Sequence, residues 1–220
     1  MGGNPVGNYR RYTAHHLRRL ADRQITRLRR RLYQIAKQGV IARKQIKEIV
    51  TSLAKRRKKA ISKLAGRPIA DNHLPLLAVI GENYLDTKIQ MAMILYGLKP
   101  KTTPIANGET SDVVKLPQGS AWWLIDVENG EQFLGQSPEA AEAAIKDLGR
   151  SCLVKAEAIA LGIHTNVLAH HNVDATGSRF NDNTDVVPNL YLDHGQLGIG
   201  SNNRATAHDK WGSASCSSRA

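Results

Sequence analysis

The chain has 220 residues, 41% of them apolar, and a formal net charge of +12, which suits one domain or two small ones around a core of moderate size. Two cysteines, Cys152 and Cys216, exclude a disulfide framework and a paired-Cys metal site and fit a reducing setting. The opening MGGNPVGNYRRY lacks an apolar run, so no secretory leader is expected. LPLLAVIG at 74–81, the most apolar stretch, is too short to span a bilayer.

Charge is distributed unevenly. Residues 1–70 hold twenty Lys/Arg against two acids, Asp22 and Glu48, a net charge of +18. The remainder carries −6. A basic third on a mildly acidic body is the asymmetry of a polyanion-binding region, or of protomers stacked head to tail.

Residues 9–38 predict a helix, because Leu17, Ala21, Ile25, Leu28, Leu32 and Ile35 fall on one 3.6-residue stripe. A second helix is expected over 41–65, closed by Gly66 and Pro68. The two form a hairpin about Gly39 or a bent rod. A third helix fits 75–96, ended by Gly97 and Pro100. Residues 101–120 are rich in turn formers and read as a loop. AWWLIDVENGEQFLG predicts a β-hairpin turning at Asn129-Gly130, apolar on both faces and so covered on both sides. Ser137-Pro138-Glu139 marks the start of a helix ending at Gly149. Another helix is expected over 151–161. From 172 onward the chain is polar, Gly/Ser/Asn-rich and without period, and is expected to be a disordered tail or an extended arm docking on neighbours.

The expected fold class is therefore α+β, mainly helical. It comprises a basic helical region (1–70), a helix (71–100), a hairpin-plus-helices body (101–171) and a polar extended C-terminal arm (172–220).

Arg18, Arg19, Arg23, Arg27, Arg29, Arg30 and Arg31 on the first helix, with Lys55, Arg56, Arg57, Lys58 and Lys59 on the second, are the candidate nucleic-acid-binding residues. Arginine's planar fork donates two parallel hydrogen bonds to phosphate, and Lys/Arg contacts release the counterions condensed on duplex DNA. Like charges four apart, as in Arg19/Arg23/Arg27/Arg31, repel each other and call for an anion nearby. Both helices lack Trp and Phe, which argues against a membrane surface.

His164, His170 and His171, with Asp174, Asp182, Asp193 and His194 downstream, match no metal-ligand spacing and read as surface or capping groups. NDNTDV at 181–186 alternates Asn181, Asn183 and Asp185 as a calcium loop does. It lacks the glycine and closing glutamate that such a loop needs. No cofactor, metal site or catalytic residue is expected. Trp122 and Trp123 read as core residues.

In organisation the chain resembles structural components of tailed-phage virions. The carrying features are the charged helical start (RRYTAHHLRRLADRQITRLRRRL), the compact unit WWLIDVENGEQFLGQSPEAAEAAIKDLG and the long polar C-terminal segment. The resemblance implies a head, neck or tail-connector subunit near packaged DNA, in the virion or host cytoplasm. The expected function is a non-enzymatic structural or assembly protein, oligomeric, with double-stranded DNA and neighbouring subunits as partners. The alternatives are an assembly module whose basic helices bind an acidic partner and, more distantly, a metal-dependent nuclease.

Overall fold

Apolar side chains at helical spacing organise the N-terminal region. The computed structural model describes residues 8–94, 109–181 and 183–220. A short strand, β1 (Tyr9–Arg11), precedes helix α1 (Ala14–Ala36), whose first turn is capped by the Thr13 hydroxyl accepting from the His16 amide. Leu17, Ala21, Leu28 and Leu32 form its buried stripe. Gly39, at φ +76°, turns the chain into α2 (Arg43–Leu64), which buries Ile46, Ile49, Leu53, Ala60, Ile61 and Leu64. Strand β2 (Pro68–Ala70) then pairs antiparallel with β1, Tyr9 opposite Ala70. That pairing ties the start of α1 to the end of α2, so the two helices are a hairpin and not a rod.

The expected helix over 75–96 is overturned. Its first part is a strand, β3 (Leu74–Ile80), and only Thr87–Ile94 is helical, as α3. Every residue from Pro75 to Ile80 is buried, and a strand covered on both faces shows no alternation to separate it from a buried helix. The helix end expected at Gly97 and Pro100 lies outside the described residues, as does most of the expected loop over 101–120. Its described part includes strand β4 (Thr110–Asp112).

Strand β5 (Ala121–Glu128) does not fold back at Asn129-Gly130, so the expected hairpin is also corrected. One Glu128 carboxylate oxygen accepts from the amides of Gly130 and Gln132 and winds the chain into a tight 3₁₀ turn over Glu131–Phe133. Helix α4 (Pro138–Asp147) starts where the Ser137 hydroxyl accepts from the Ala140 amide, with proline in its first turn as expected. Strand β6 (Ser151–Cys152) and helix α5 (Lys155–His164) follow.

The expected polar arm is instead folded. Residues 172–220 form β7 (Asn172–Asp174), β8 (Ser178–Phe180), β9 (Val186–Asp193), β10 (Gln196–Asn203), β11 (Trp211–Ser213) and β12 (Ser215–Arg219). A two-residue turn, His194 at φ +46° and Gly195 at φ +77°, joins β9 to β10. Both residues lie in the left-handed region, as a type I′ turn requires. Asp174, Asn189, Asn202, Ser213 and Ser215 are buried polar residues in this region, which is why its composition read as disorder. With five helices and four sheets among the described residues, the fold is mixed α/β, not mainly helical.

The central sheet has the order β3-β5-β12-β6, antiparallel throughout. The adjacent tryptophans of β5 point to opposite faces. Trp123 donates its indole N–H to the Leu53 carbonyl of α2, 2.9 Å away, and Trp122 donates to Glu157 of α5, also at 2.9 Å. The helical hairpin therefore covers one face and α5 the other, as the two apolar faces of β5 require.

Glu157 is wholly buried. It accepts both Arg219 Nε and Nη2 at 2.7 Å, the Trp122 indole and the Val154 amide at the start of α5. An ion pair so fully hydrogen-bonded offsets its desolvation. It also locks the last strand to α5. The second sheet, ordered β10-β9-β7-β11, packs beyond α5, and β4-β8 is a two-stranded sheet. Cys152 and Cys216, distant in sequence, lie on neighbouring strands β6 and β12. Both are free and buried, and burial pushes the Cys216 thiol up to about 12.

Candidate nucleic-acid interface

The hairpin buries one stripe of each helix, so cations outside those stripes face solvent. Arg18, Arg19, Arg23, Arg29 and Arg30 of α1 and Lys55, Lys58 and Lys59 of α2 are exposed. The other four candidates are committed to the protein itself. Arg27 donates to the His164 carbonyl at 3.1 Å, and Arg31 donates to the carbonyls of Ile163 (2.7 Å) and Met93 (2.8 Å). These acceptors sit at the C-terminal ends of α5 and α3, where the helix dipole favours positive charge. Part of the crowding on α1 is thus relieved internally. Arg56 donates to the Gln118 carbonyl, and Arg57 pairs with Asp22, clamping α2 to α1.

Two concave surfaces result. Between α1 and the end of α5 lies a cleft of about 910 Å³ whose walls include Arg23, Arg27, Arg30, Arg31 and His164. Burial, and then the neighbouring Arg27 and Arg31, push the His164 imidazole down to about 3, so it is neutral and adds no charge. On the outer side of α2, Lys44, Lys47, Lys55, Arg56 and Lys59 line a second cleft of about 740 Å³. Lys44 and Lys47 were missed from the sequence. Their signal was their position, three to four residues apart on the same polar face as Lys55 and Lys59.

The histidine and acid cluster does not converge. His194 is 95% exposed on its turn and Asp193 is 75% exposed. His170 is exposed beside Asn166, and Asp174 is buried in the second sheet. Asp182 lies outside the described residues. Among the described residues no three His, Cys, Asp or Glu side chains stand close enough to hold a metal ion. In the NDNTDV stretch, the Asn183 side chain accepts from the Asp185 amide, making a local turn. Trp122 and Trp123 are core residues, 2% and 0% exposed.

The fold and site define a mixed α/β protein carrying a cationic helical hairpin on one face of its central sheet. Residues 34–220 match a family of unknown function, DUF5701, and the chain belongs to that family. The match starts at Gln34, so the seven candidate arginines of α1 precede it, whereas Lys55, Arg56, Arg57, Lys58 and Lys59 lie within it. No curated protein and no solved structure matches the chain. Among the described residues no helix is long and apolar enough to cross a membrane.

Proposed function

We propose that this chain is a non-enzymatic nucleic-acid-binding protein whose helical hairpin contacts phosphates without reading base sequence. The observation that carries this reading is the set of eight exposed cations, Arg18, Arg19, Arg23, Arg29, Arg30, Lys55, Lys58 and Lys59. They sit on two helices whose acids are Asp22, already paired with Arg57, and Glu48. Lys44 and Lys47 extend the same surface. A rigid helix pair presents these charges with little loss of order on binding, and spaced guanidinium and ammonium groups suit a phosphate backbone.

Deleting residues 1–70 is a poor test, because it strips one cover from the central sheet. Surface substitution in the full chain avoids that. Duplex DNA affinity is measured across a salt series for the wild type, for Arg19→Gln/Arg23→Gln/Arg30→Gln combined, and for the control Lys88→Gln. Each phosphate contact contributes about −0.9 to the slope of log K against log salt. The triple variant is expected to bind at least tenfold more weakly, with a slope shallower by about 3, while Lys88→Gln leaves both unchanged. If the triple variant binds as the wild type does, or the wild type fails to bind near physiological salt, this surface serves an acidic protein partner or neighbouring copies instead.

A further inference from the structure

The second sheet has two unlike faces, and adjacent rows of residues show it. Ile199, Leu190, Val173 and Gly212 align across β10, β9, β7 and β11. Leu190 in this apolar row packs on α5, so closely that a Cβ on Gly162 would lie 3.2 Å from the Leu190 side chain. The next row is Gly200, Asn189, Asp174 and Ser213. Here three polar side chains stand side by side, each no more than 2% exposed.

Asp174 is partnered, accepting from Asn202 Nδ2 at 3.2 and 3.3 Å. Asn189 is not: neither its amide nitrogen nor its amide oxygen has a partner. Buried amides almost always find both kinds of bond, so an amide with neither is costly unless something binds it.

Asn189 lies in the wall of a cleft of about 660 Å³, together with His171, Tyr191, Gly200, Lys210 and Trp211. The His171 ring adds a second orphan atom. Its Nδ1 lies 2.9 Å from the Asn172 carbonyl, which can only accept, so Nδ1 carries the proton. In the neutral ring Nε2 is then an acceptor, and it too is buried without a partner.

Two aromatic rings complete the wall. The Tyr191 ring lies across β10, where side chains are absent: a Cβ on Gly198 would fall 2.3 Å from it and one on Gly200 3.3 Å. Trp211 is half-buried and stacks at a tilt on His208, with ring centroids 4.5 Å apart. Lys210 is exposed.

A ligand that satisfies this wall offers an acceptor and a donor for the Asn189 amide and a further donor for His171 Nε2. It also has a flat face for Tyr191 or Trp211. The edge of a nucleobase has that pattern, because an amide presents complementary donor and acceptor atoms to it. The cleft volume falls within the usual range for small-molecule sites. We propose that this cleft binds a nucleobase, its edge held by the Asn189 amide and His171 Nε2 and its ring laid against Tyr191 and Trp211. The base comes either from a free nucleotide, with Lys210 beside the phosphate, or from a single strand of nucleic acid. The proposal does not depend on the phosphate-contacting hairpin.

Calorimetric titration of the full chain with uridine, cytidine, adenosine and guanosine tests it. Nucleosides carry no phosphate, so the cationic hairpin cannot account for their binding. The monophosphates and a short single-stranded oligonucleotide are titrated in parallel to distinguish the source of the base. At least one base is expected to bind saturably and to quench the fluorescence of Trp211, the tryptophan outside the core. Asn189→Leu should weaken that binding at least tenfold, as should Gly200→Ala, whose new Cβ would stand 3.0 Å from the Asn189 amide oxygen. Asn189→Leu removes an unpaired buried amide, so its Tm should hold or rise, which separates lost binding from lost folding. Binding by the oligonucleotide alone, lost in both variants, assigns the base to a strand. Absence of saturable binding by every probe, or undiminished binding in both folded variants, overturns the proposal.

Discussion

Asp174 shows how a single buried carboxyl sets a pH response. It is completely inaccessible, its partner is one asparagine amide, and burial pushes its carboxyl from 3.8 up to about 7. A raised carboxyl pKa means that the folded state binds the proton more tightly than the unfolded chain. This residue's contribution to stability is therefore fully present below about pH 4, declines as pH rises from about 4 to about 7, and is flat above that. Other carboxyls act in the opposite sense. His73 and Arg150 hold Asp126 below its usual range, and Lys146 and Arg179 do the same for Glu142, each against the upward push of burial. The comparison that isolates Asp174 is wild type against Asp174→Asn, which can still accept from Asn202. Urea midpoints at pH 4 should nearly coincide, and at pH 8 the variant should unfold at higher urea. Parallel curves between pH 4 and 8 would show that Asp174 ionises in the folded chain as it does in water.

Elements differ in how much of them was legible in the sequence, and the reasons are local. The helices α1, α2 and α4 were readable because each has one buried face, and two of them also carry a terminal signal: the Gly66-Arg67-Pro68 stop after α2 and Ser137-Pro138 before α4. Strand β3 was not, because burial on both sides erased its alternation. The turn chemistry was read at the wrong place. Asn129-Gly130 has the preferred composition for a hairpin, yet Glu128 captures the amides that follow it. The turn instead forms at His194-Gly195, where histidine in a left-handed conformation is an uncommon choice. Gly195 has no neighbour within 4 Å of an added Cβ, so only its φ of +77° resists substitution. Gly195→Ala should cost about 1 kcal/mol through backbone strain alone, whereas His194→Gly should be neutral or slightly stabilising. Chemical denaturation of the two variants checks this pair of signs.

The candidate interface was partly legible for a related reason. Sequence shows where cations are dense but not which of them the fold consumes. Arg27 and Arg31 look like Arg23 and Arg30 until the C-terminal carbonyls of α3 and α5 are placed against them. The Asn189 cleft was invisible in sequence, because its residues come from strands that carry no polar-apolar period and meet only through the register of the second sheet.

On the scale of the whole molecule the decisive feature is the path of the C-terminal strands. β11 belongs to the second sheet and β12 to the central one, with only the fully buried Ala214 between them. β12 lies between β5 and β6, bonded to both, and the backbone of Ala220 exchanges hydrogen bonds with Trp123 in both directions. The resemblance to phage assembly subunits drew part of its support from a free arm over 172–220, and that support is gone now that the segment is core. An arm that docks on neighbours can be removed without harm to the body; a central strand cannot. Deleting residues 211–220 takes away β12, opens the middle of the sheet and leaves Glu157 buried without Arg219. An uncompensated buried charge alone costs about 3–5 kcal/mol, a large share of the roughly 5–15 kcal/mol that holds a domain together. The truncated chain should therefore lose its cooperative thermal transition. The point variant Arg219→Met should keep the transition but lower its midpoint. Circular dichroism melts of the two would decide it, and a truncated chain that still melts cooperatively near the wild-type temperature would return the C-terminal strand to the status of a dispensable arm.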